Sequence, residues 1–143
     1  MKKTQKRLGN KGFSLVELIV VIAIMAVLVG VLAPTLIRNV EKSRESKDAQ
    51  NVDSIKNAIE VTLQDENVYN GVVGVKSDLV TLTSTGTTVE TTAGFDTKLK
   101  ETLDVTKTHL TSKKYKSQTI KFQVDGQGHV KVTGLPTEEK ESK

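Results

Sequence analysis

The stretch KGFSLVEL, residues 11–18, opens an apolar run that continues to Ala33 and ends at Pro34. As a helix, the about 21 residues from Phe13 to Ala33 are roughly 31 Å long, which matches the hydrocarbon thickness of a bilayer. The run is therefore predicted to span a membrane. Because five Lys and Arg side chains and no acidic ones precede it, the N-terminus is predicted to lie in the cytoplasm and the remainder of the chain outside.

Glu17 is the one ionisable side chain inside this apolar run. A charge in the hydrocarbon region of a bilayer costs several kcal/mol unless it is paired or neutralised. Cleavage of the chain after Gly12 would supply a cationic partner, the α-amino group of Phe13. In a bundle of apolar helices, such a pair relieves the desolvation of both groups and allows only one axial offset between two chains.

The end of the apolar run contains its weakest helical part. Pro34 lacks a backbone N–H and crowds the carbonyl of Gly30, and glycine is itself a poor helix former. The pair Gly30 and Pro34 therefore predicts a kink, or local unwinding when subunits pack.

Residues 11–17 and the Leu-, Ile- and Val-rich run after them resemble the N-terminal signature of type IV prepilins and the related pseudopilins. This resemblance covers about the first quarter of the chain. It implies cleavage between Gly12 and Phe13 by a prepilin peptidase, followed by N-methylation of Phe13. Glu17 would pair with the new amino terminus of a neighbouring subunit and set the stagger of assembly, and Pro34 would be the helix-bending proline of many members.

The same resemblance implies partners and locations. Before assembly the chain would be a single-pass protein of the cytoplasmic membrane that meets an inner-membrane assembly platform. After assembly it would form a homopolymer with other pilin subunits in an extracellular cell-surface pilus. Many pilins of Gram-negative bacteria have a disulfide, and the absence of cysteine here favours a Gram-positive source.

Two other interpretations of the N-terminal region stay open. A secretory signal peptide has the same basic and apolar parts, and residues 31–33 fit a small-residue cleavage site, although Pro34 would put an imino nitrogen at the scissile bond. A plain uncleaved membrane anchor also fits the apolar run, but it leaves Glu17 without a role.

The composition excludes several kinds of chemistry. No cysteine occurs among the 143 residues, which excludes thiol catalysis, Cys-ligated metals and disulfides. His109 and His129 have no second ligand at metal-binding spacing. The loop of residues 125–128 supplies one carboxylate, where calcium takes about six to eight oxygen ligands, so a hairpin turn explains it better. Without a nucleophile motif or a phosphate loop, the chain is predicted not to be an enzyme and to need no cofactor.

The net charge of +4 does not indicate polyanion binding by the whole chain. Five of the positive charges lie in residues 1–12, and without them the net charge becomes −1. A lysine-rich region remains, with Tyr115 and Phe122 interleaved. Its candidates for binding DNA phosphates or acidic cell-wall polymers are Lys113, Lys114, Lys116 and Lys121. The alternative is a solvated edge strand, in which alternate lysines point to opposite faces.

Beyond Pro34 the sequence predicts an α+β head. Residues 41–48 are mostly charged with mixed signs, which predicts a solvated helical surface. An apolar stripe follows at every third or fourth position and would face a sheet; it consists of Val52, Ile55, Ile59 and Leu63. One long helix is therefore predicted from about Ser14 to about Asp65, with a hydrophobic first half and an amphipathic second half. Its predicted end is the group Asn67, Asn70, Gly71 and Gly74.

The remaining segments predict short strands and one short helix. Residues 72–92 are rich in Thr and Val around a turn at 84–86, which fits a small hairpin or an irregular loop. Apolar residues four apart predict a helix over 95–104. Alternation at 120–124 and 130–132, on either side of the loop at 125–128, predicts a C-terminal hairpin. With the long helix, these elements form a small antiparallel sheet under a helix, which by resemblance is the pilin fold.

These patterns, with the resemblance for the leader and the fibre core, predict five segments: a leader at 1–12, a transmembrane or fibre-core helix at 13–34, an amphipathic helix of the head at 35–66, a β-rich head at 67–136, and a charged flexible tail at 137–143. By resemblance, the predicted function is that of a structural subunit of a type IV pilus serving adhesion, motility or DNA uptake. The alternatives are a core pseudopilin of a type II secretion or competence apparatus, and a DNA-binding or adhesive minor pilin.

Overall fold

The computed structural model describes residues 12–75, 78–92 and 94–137. The chain consists of two compact units, one ending at Asn39 and one beginning at Val40. The helices are α1 (Leu15–Thr62), α2 (Glu66–Val72), α3 (Phe95–Thr102) and α4 (Lys113–Lys116), with a 3-10 turn at Val105–Lys107. The strands are β1 (Val80–Leu82), β2 (Thr87–Val89), β3 (Ile120–Val124) and β4 (Val130–Thr133). Most of the predicted leader and tail, residues 1–11 and 138–143, lie outside the described residues.

The first unit is an apolar stretch of helix α1. Its large apolar side chains between Leu15 and Leu32 are all exposed, from 47% at Val21 to 75% at Leu15. By length and composition the helix can cross a membrane. It runs through Gly30 and Pro34 without interruption, so the kink or unwinding expected on subunit packing stays a prediction.

The second unit contains an antiparallel sheet with the strand order β2-β1-β3-β4. Strands β1 and β2 form one hairpin, and β3 and β4 form the other. The two hairpins meet where β1 pairs with β3, with Val80 opposite Phe122. The predicted C-terminal hairpin is therefore confirmed. Of the two alternatives left open for residues 72–92, a small hairpin or an irregular loop, the structure has the hairpin, at residues 80–89.

The core of this unit lies between the later turns of α1 and the sheet. The predicted apolar stripe on α1 is buried, with Ile55 and Ile59 completely so. On β3 the alternate residues Ile120, Phe122 and Val124 are buried, and the residues between them are half-buried. Burial stabilises the fold by about 1.5–3 kcal/mol for each such apolar side chain. This packing confirms the predicted α+β class, a long N-terminal helix on a small antiparallel sheet.

The end of α1 differs from the sequence prediction. The helix stops at Thr62, and Asp65 then caps a second helix by accepting a hydrogen bond from the Asn67 N–H at 3.1 Å. Asn67, Asn70 and Gly71 therefore lie inside α2 and do not terminate α1. The cause is the short acidic side chain of Asp65, which favours an N-cap over a continued helix.

Gly134 allows the chain after β4 to approach β3 closely. Its φ is +82°, and a Cβ at this position would lie 2.1 Å from the carbonyl oxygen of Thr119. Left-handed backbone costs an L-residue about 1–2 kcal/mol, and a backbone carbonyl cannot move aside without the strand. We therefore expect Gly134→Ala to lower the free energy of unfolding by about 2–3 kcal/mol.

Thermal unfolding of the full-length chain in detergent, followed by circular dichroism, measures this loss. The matched control is Gly126→Ala in the turn of the same hairpin, because a Cβ there would meet no atom within 4 Å. The control should change stability by less than about 1 kcal/mol. Equal melting temperatures for the two variants would show that the contact at Gly134 does not constrain the fold.

Candidate functional site

Helix α1 begins with a reciprocal cap formed by Ser14 and Glu17. The Ser14 N–H donates to Glu17 Oε2 at 2.8 Å, and Ser14 Oγ accepts from the Val16 N–H at 3.2 Å. Ser14 and Glu17 have the spacing of a capping box, in which an N-cap hydroxyl and an acidic side chain three residues later satisfy free backbone donors. The Ser-x-x-Glu pattern could have revealed this contact, but only a cationic partner was predicted for Glu17.

The predicted cleavage site lies just before this cap. Gly12 and Phe13 are exposed and stand outside the helix, and the Phe13 side chain is 92% exposed. A peptide bond in such a position is accessible to a protease without unfolding of the helix. The structure therefore brings the Gly12–Phe13 bond and the Glu17 carboxylate to the same end of α1, one helical turn apart.

The apolar side chains that follow Glu17 need a covering surface. Exposed apolar area on this scale, on a single helix, is typical of segments that contact lipid or other protein chains. Glu17 is the one ionisable residue between Gly12 and Ile37. This surface can therefore insert into a membrane or pack against like helices. In either case Glu17 is the one ionisable side chain of the segment that can make a specific polar contact.

The predicted lysine candidates do not share one face. Lys113, Lys114 and Lys116 lie on helix α4 and are exposed, whereas Lys121 lies on the inner strand β3. The Lys121 Nζ donates to Asp78 Oδ2 at 2.6 Å. This contact, with a second hydrogen bond from Gln123, lowers the pKa of Asp78 below its usual value. The alternative of an edge strand is wrong for residues 113–121, because they form a helix and an inner strand.

The loop at residues 125–128 uses its carboxylate within the turn. Asp125 Oδ1 accepts from the backbone N–H groups of His129 at 2.8 Å and of Gln127 at 2.9 Å. These hydrogen bonds hold the pKa of Asp125 below its usual value. Across residues 12–75, 78–92 and 94–137, no group of three or more His, Asp or Glu side chains is placed to hold a metal ion.

A buried polar cluster of the head was not predicted. Asp48 on α1 is 0% exposed, so the prediction of a solvated surface over 41–48 is wrong at this residue. Its carboxylate accepts from the N–H and hydroxyl of Ser112, both at 2.7 Å, and from the N–H and hydroxyl of Thr111 at 3.0 and 3.1 Å. These groups provide the polar partners that a buried carboxylate requires.

The pKa of Asp48 reflects two opposing causes. Burial raises it, and the hydrogen bonds from Ser112 and Thr111 together lower it by more, so that the pKa of Asp48 lies below its ordinary value. Asp48 therefore remains ionised at neutral pH and stabilises the folded head. A second carboxylate on the same helix, Glu41, accepts from the Lys113 N–H. Helix α1 thus holds residues 111–113 through two acidic side chains.

Comparisons with known proteins match the N-terminal part of the chain. The profile of the prokaryotic N-terminal methylation motif matches residues 7–33. "Prepilin peptidase-dependent protein A" of Clostridium perfringens is 34% identical over 71 residues, which are 50% of this chain and 51% of that protein. "Type II secretion system core protein G" is 33% identical over 69 residues in Vibrio cholerae, 48% of this chain and 45% of that protein.

The core protein G of Aeromonas hydrophila is 35% identical over 65 residues, which are 46% of this chain and 45% of that protein. The chain thus matches about half the length of the curated relatives. No solved structure matches it significantly.

The buried carboxylate of Asp48 gives a prediction about stability. In Asp48→Asn, an amide N–H would face backbone N–H donors of residues 111 and 112, and the charge would be lost. We expect the free energy of unfolding at neutral pH to fall by about 1.5–3 kcal/mol. The exposed Asp53 on the same helix provides the matched control, and Asp53→Asn should change stability by less than about 0.5 kcal/mol.

The same pair of variants tests the pH dependence. Because the folded pKa of Asp48 is lowered, its stabilisation is complete above the unfolded value of 3.8 and is lost as pH falls below that value. The difference in melting temperature between wild type and Asp48→Asn should therefore shrink below pH 3.8. A constant difference across this range, or an effect as small as that of Asp53→Asn, would contradict the assignment.

Proposed function

Since the N-terminal segment of this chain is that of the type IV pilin and pseudopilin family, we propose that the protein is a structural subunit of a type IV pilus. The similarity to a prepilin peptidase-dependent protein and to a secretion system core protein supports the prediction that the chain is not an enzyme. One observation carries the proposal: an exposed Gly12–Phe13 bond lies before helix α1, a single carboxylate, Glu17, lies in its first turn, and the large apolar side chains from Leu15 to Leu32 are all exposed.

The first proposed step is insertion and processing. The apolar helix enters the cytoplasmic membrane with residues 1–12 on the cytoplasmic side, where their cationic side chains keep them. A prepilin peptidase then cuts between Gly12 and Phe13, and Phe13 is N-methylated. Cleavage removes five positive charges and creates one new cation, the α-amino group at the start of the helix.

The second proposed step is polymerisation through residues 13–34. Moving an apolar helix from lipid to a bundle of helices yields little hydrophobic free energy, because lipid chains are as apolar as leucine. Close packing drives the association, and a charge pair between Glu17 and the amino terminus of a neighbour selects one axial offset. In this proposal Gly30 and Pro34 form the bending point of the packed helix, and an assembly platform in the membrane adds the subunits.

A second candidate function is that of a core pseudopilin in a secretion apparatus. It is supported by the similarity to type II secretion system core protein G in more than one organism. A pseudopilin uses the same processing and helix packing, so the N-terminal segment supports both functions equally. The absence of cysteine supports a pilin of Gram-positive type. The two functions differ in whether a long fibre reaches the cell surface.

Processing and location can be measured together. We expect material sheared from the surface of the native host to contain a chain that begins at Phe13 and carries an added methyl group, identified by intact mass and N-terminal analysis. A chain beginning at Phe13 that is found only in the cell envelope would support the pseudopilin. A chain beginning at Met1, or at Pro34 in the medium, would contradict both functions.

The charge of Glu17 can be separated from its role in the cap. Glu17→Gln keeps a side-chain acceptor for the Ser14 N–H, because glutamine also serves at this position of a capping box, but it removes the charge. We expect this variant to be inserted and processed normally and to form at least tenfold fewer fibres, counted by electron microscopy.

The matched control is Ser14→Ala, which removes the Ser14 hydroxyl from the cap but keeps the Glu17 charge. This variant should be processed and should form fibres in nearly normal number. Normal fibres from Glu17→Gln would refute charge pairing as the origin of the stagger. A loss confined to Ser14→Ala would assign the effect to the helix cap.

A further inference from the structure

A basic cleft lies on the head unit, between helix α1, the β1–β2 turn and the segment that leads into α4. Its volume is about 450 Å³. The side chains that line it belong to Arg44, Lys47, Ser84, His109, Leu110, Thr111 and Lys116. Of the lysine candidates predicted from sequence, Lys116 alone lines this cleft, and the other cations come from α1.

The three segments around the basic cleft are joined by hydrogen bonds. Asp48 holds Thr111 and Ser112 against α1, which places the segment beside Arg44 and Lys47. The Leu110 N–H donates to the carbonyl of Thr83 at 3.0 Å. The cations therefore project from connected elements, so a ligand would have to order their side chains but not the backbone that carries them.

The charge of the basic cleft is not balanced at its surface. Among the residues that the structure describes, no Asp or Glu lines it. Arg44 pairs with Glu41 at 3.9 Å, and the Arg44 side chain is 55% exposed, so this ion pair is weak. Asp48 lies beneath the cleft with no exposed surface and accepts from Thr111 and Ser112.

Two other lysines of the region, Lys107 and Lys121, do have carboxylate partners. Lys107 pairs with Asp104 at 2.9 Å, and Lys121 pairs with Asp78 at 2.6 Å. A concave surface lined by cations concentrates the electrostatic potential and attracts anions. The basic cleft is therefore a better candidate for an anion site than the lysine set predicted from sequence.

We propose that the basic cleft binds phosphodiester groups of the DNA backbone without reading base sequence. Guanidinium, ammonium and hydroxyl groups are the donors that contact DNA phosphates. The described lining contains no Phe, Tyr or Trp side chain on which a base or a sugar ring could stack. DNA is favoured over sparser polyanions because its high density of phosphates releases bound counterions when several cations engage it together.

This inference goes beyond the proposed filament role and does not rest on it, because every lining residue lies between positions 44 and 116. The two ideas also fail separately. If the chain forms fibres but does not bind DNA, the filament role still holds. If an unprocessed chain binds DNA, the proposal for the basic cleft still holds.

The test measures binding of a fluorescently labelled DNA duplex to the full chain in zwitterionic detergent, by anisotropy. The parent protein carries glutamine in place of the five cationic residues of positions 1–12, which would otherwise contribute their own affinity. We expect the triple substitution Arg44→Ala, Lys47→Ala and Lys116→Ala to weaken binding at least tenfold. The slope of log affinity against log salt concentration should fall by about 2–3, close to one unit for each lost phosphate contact.

The matched control removes the same number of charges outside the basic cleft, through Lys113→Ala, Lys114→Ala and Lys131→Ala. This control should weaken binding less than threefold, and circular dichroism must show both variants to be folded. Equal losses in the two variants, or no binding by the parent, would overturn the proposal. So would stronger displacement of the duplex by a sulfated polysaccharide than by unlabelled DNA at equal charge concentration, because the site would then suit an acidic glycan.

Discussion

The buried carboxylate of Asp48 is the contact on which the arrangement of the head depends. It joins helix α1 to residues more than sixty positions later in the chain through charge-assisted hydrogen bonds, and Asp48 itself has no exposed surface. Ser112, which Asp48 holds, also caps helix α4. The start of α4, the position of Thr111 and the wall of the basic cleft therefore follow from one side chain.

The two parts of helix α1 meet different physical requirements. Beyond Asn39 the helix buries an apolar stripe against a sheet of its own chain, and the head is stable through that core. Before Asn39 its apolar residues have no such core and need a bilayer or other helices around them. The part of α1 beyond Asn39 thus belongs to the core of a folded domain, and the part before Asn39 carries an exposed apolar surface.

Local patterns were enough to predict much of this structure. Period-two alternation identified the C-terminal hairpin, spacing of three or four identified the buried stripe, and the Gly12–Phe13 and Glu17 pattern indicated a resemblance to type IV prepilins and pseudopilins. The features that were missed depend on distant residues. Asp48 looked like part of a charged surface because its partners lie far along the chain, and Lys121 looked unpaired because Asp78 belongs to another segment. Helix α1 ends before its predicted end because Asp65 caps α2, and this aspartate was not recognised in the sequence as an N-cap.

The cap at Ser14 and Glu17 bears on whether assembly can be reversed. A carboxylate that accepts from its own backbone has a polar partner while the subunit stands alone in lipid. In the proposed filament role, Glu17 of a subunit that leaves its neighbour would turn back to the Ser14 N–H and keep a polar partner in the bilayer. Such a subunit could then be stored in the membrane and used again.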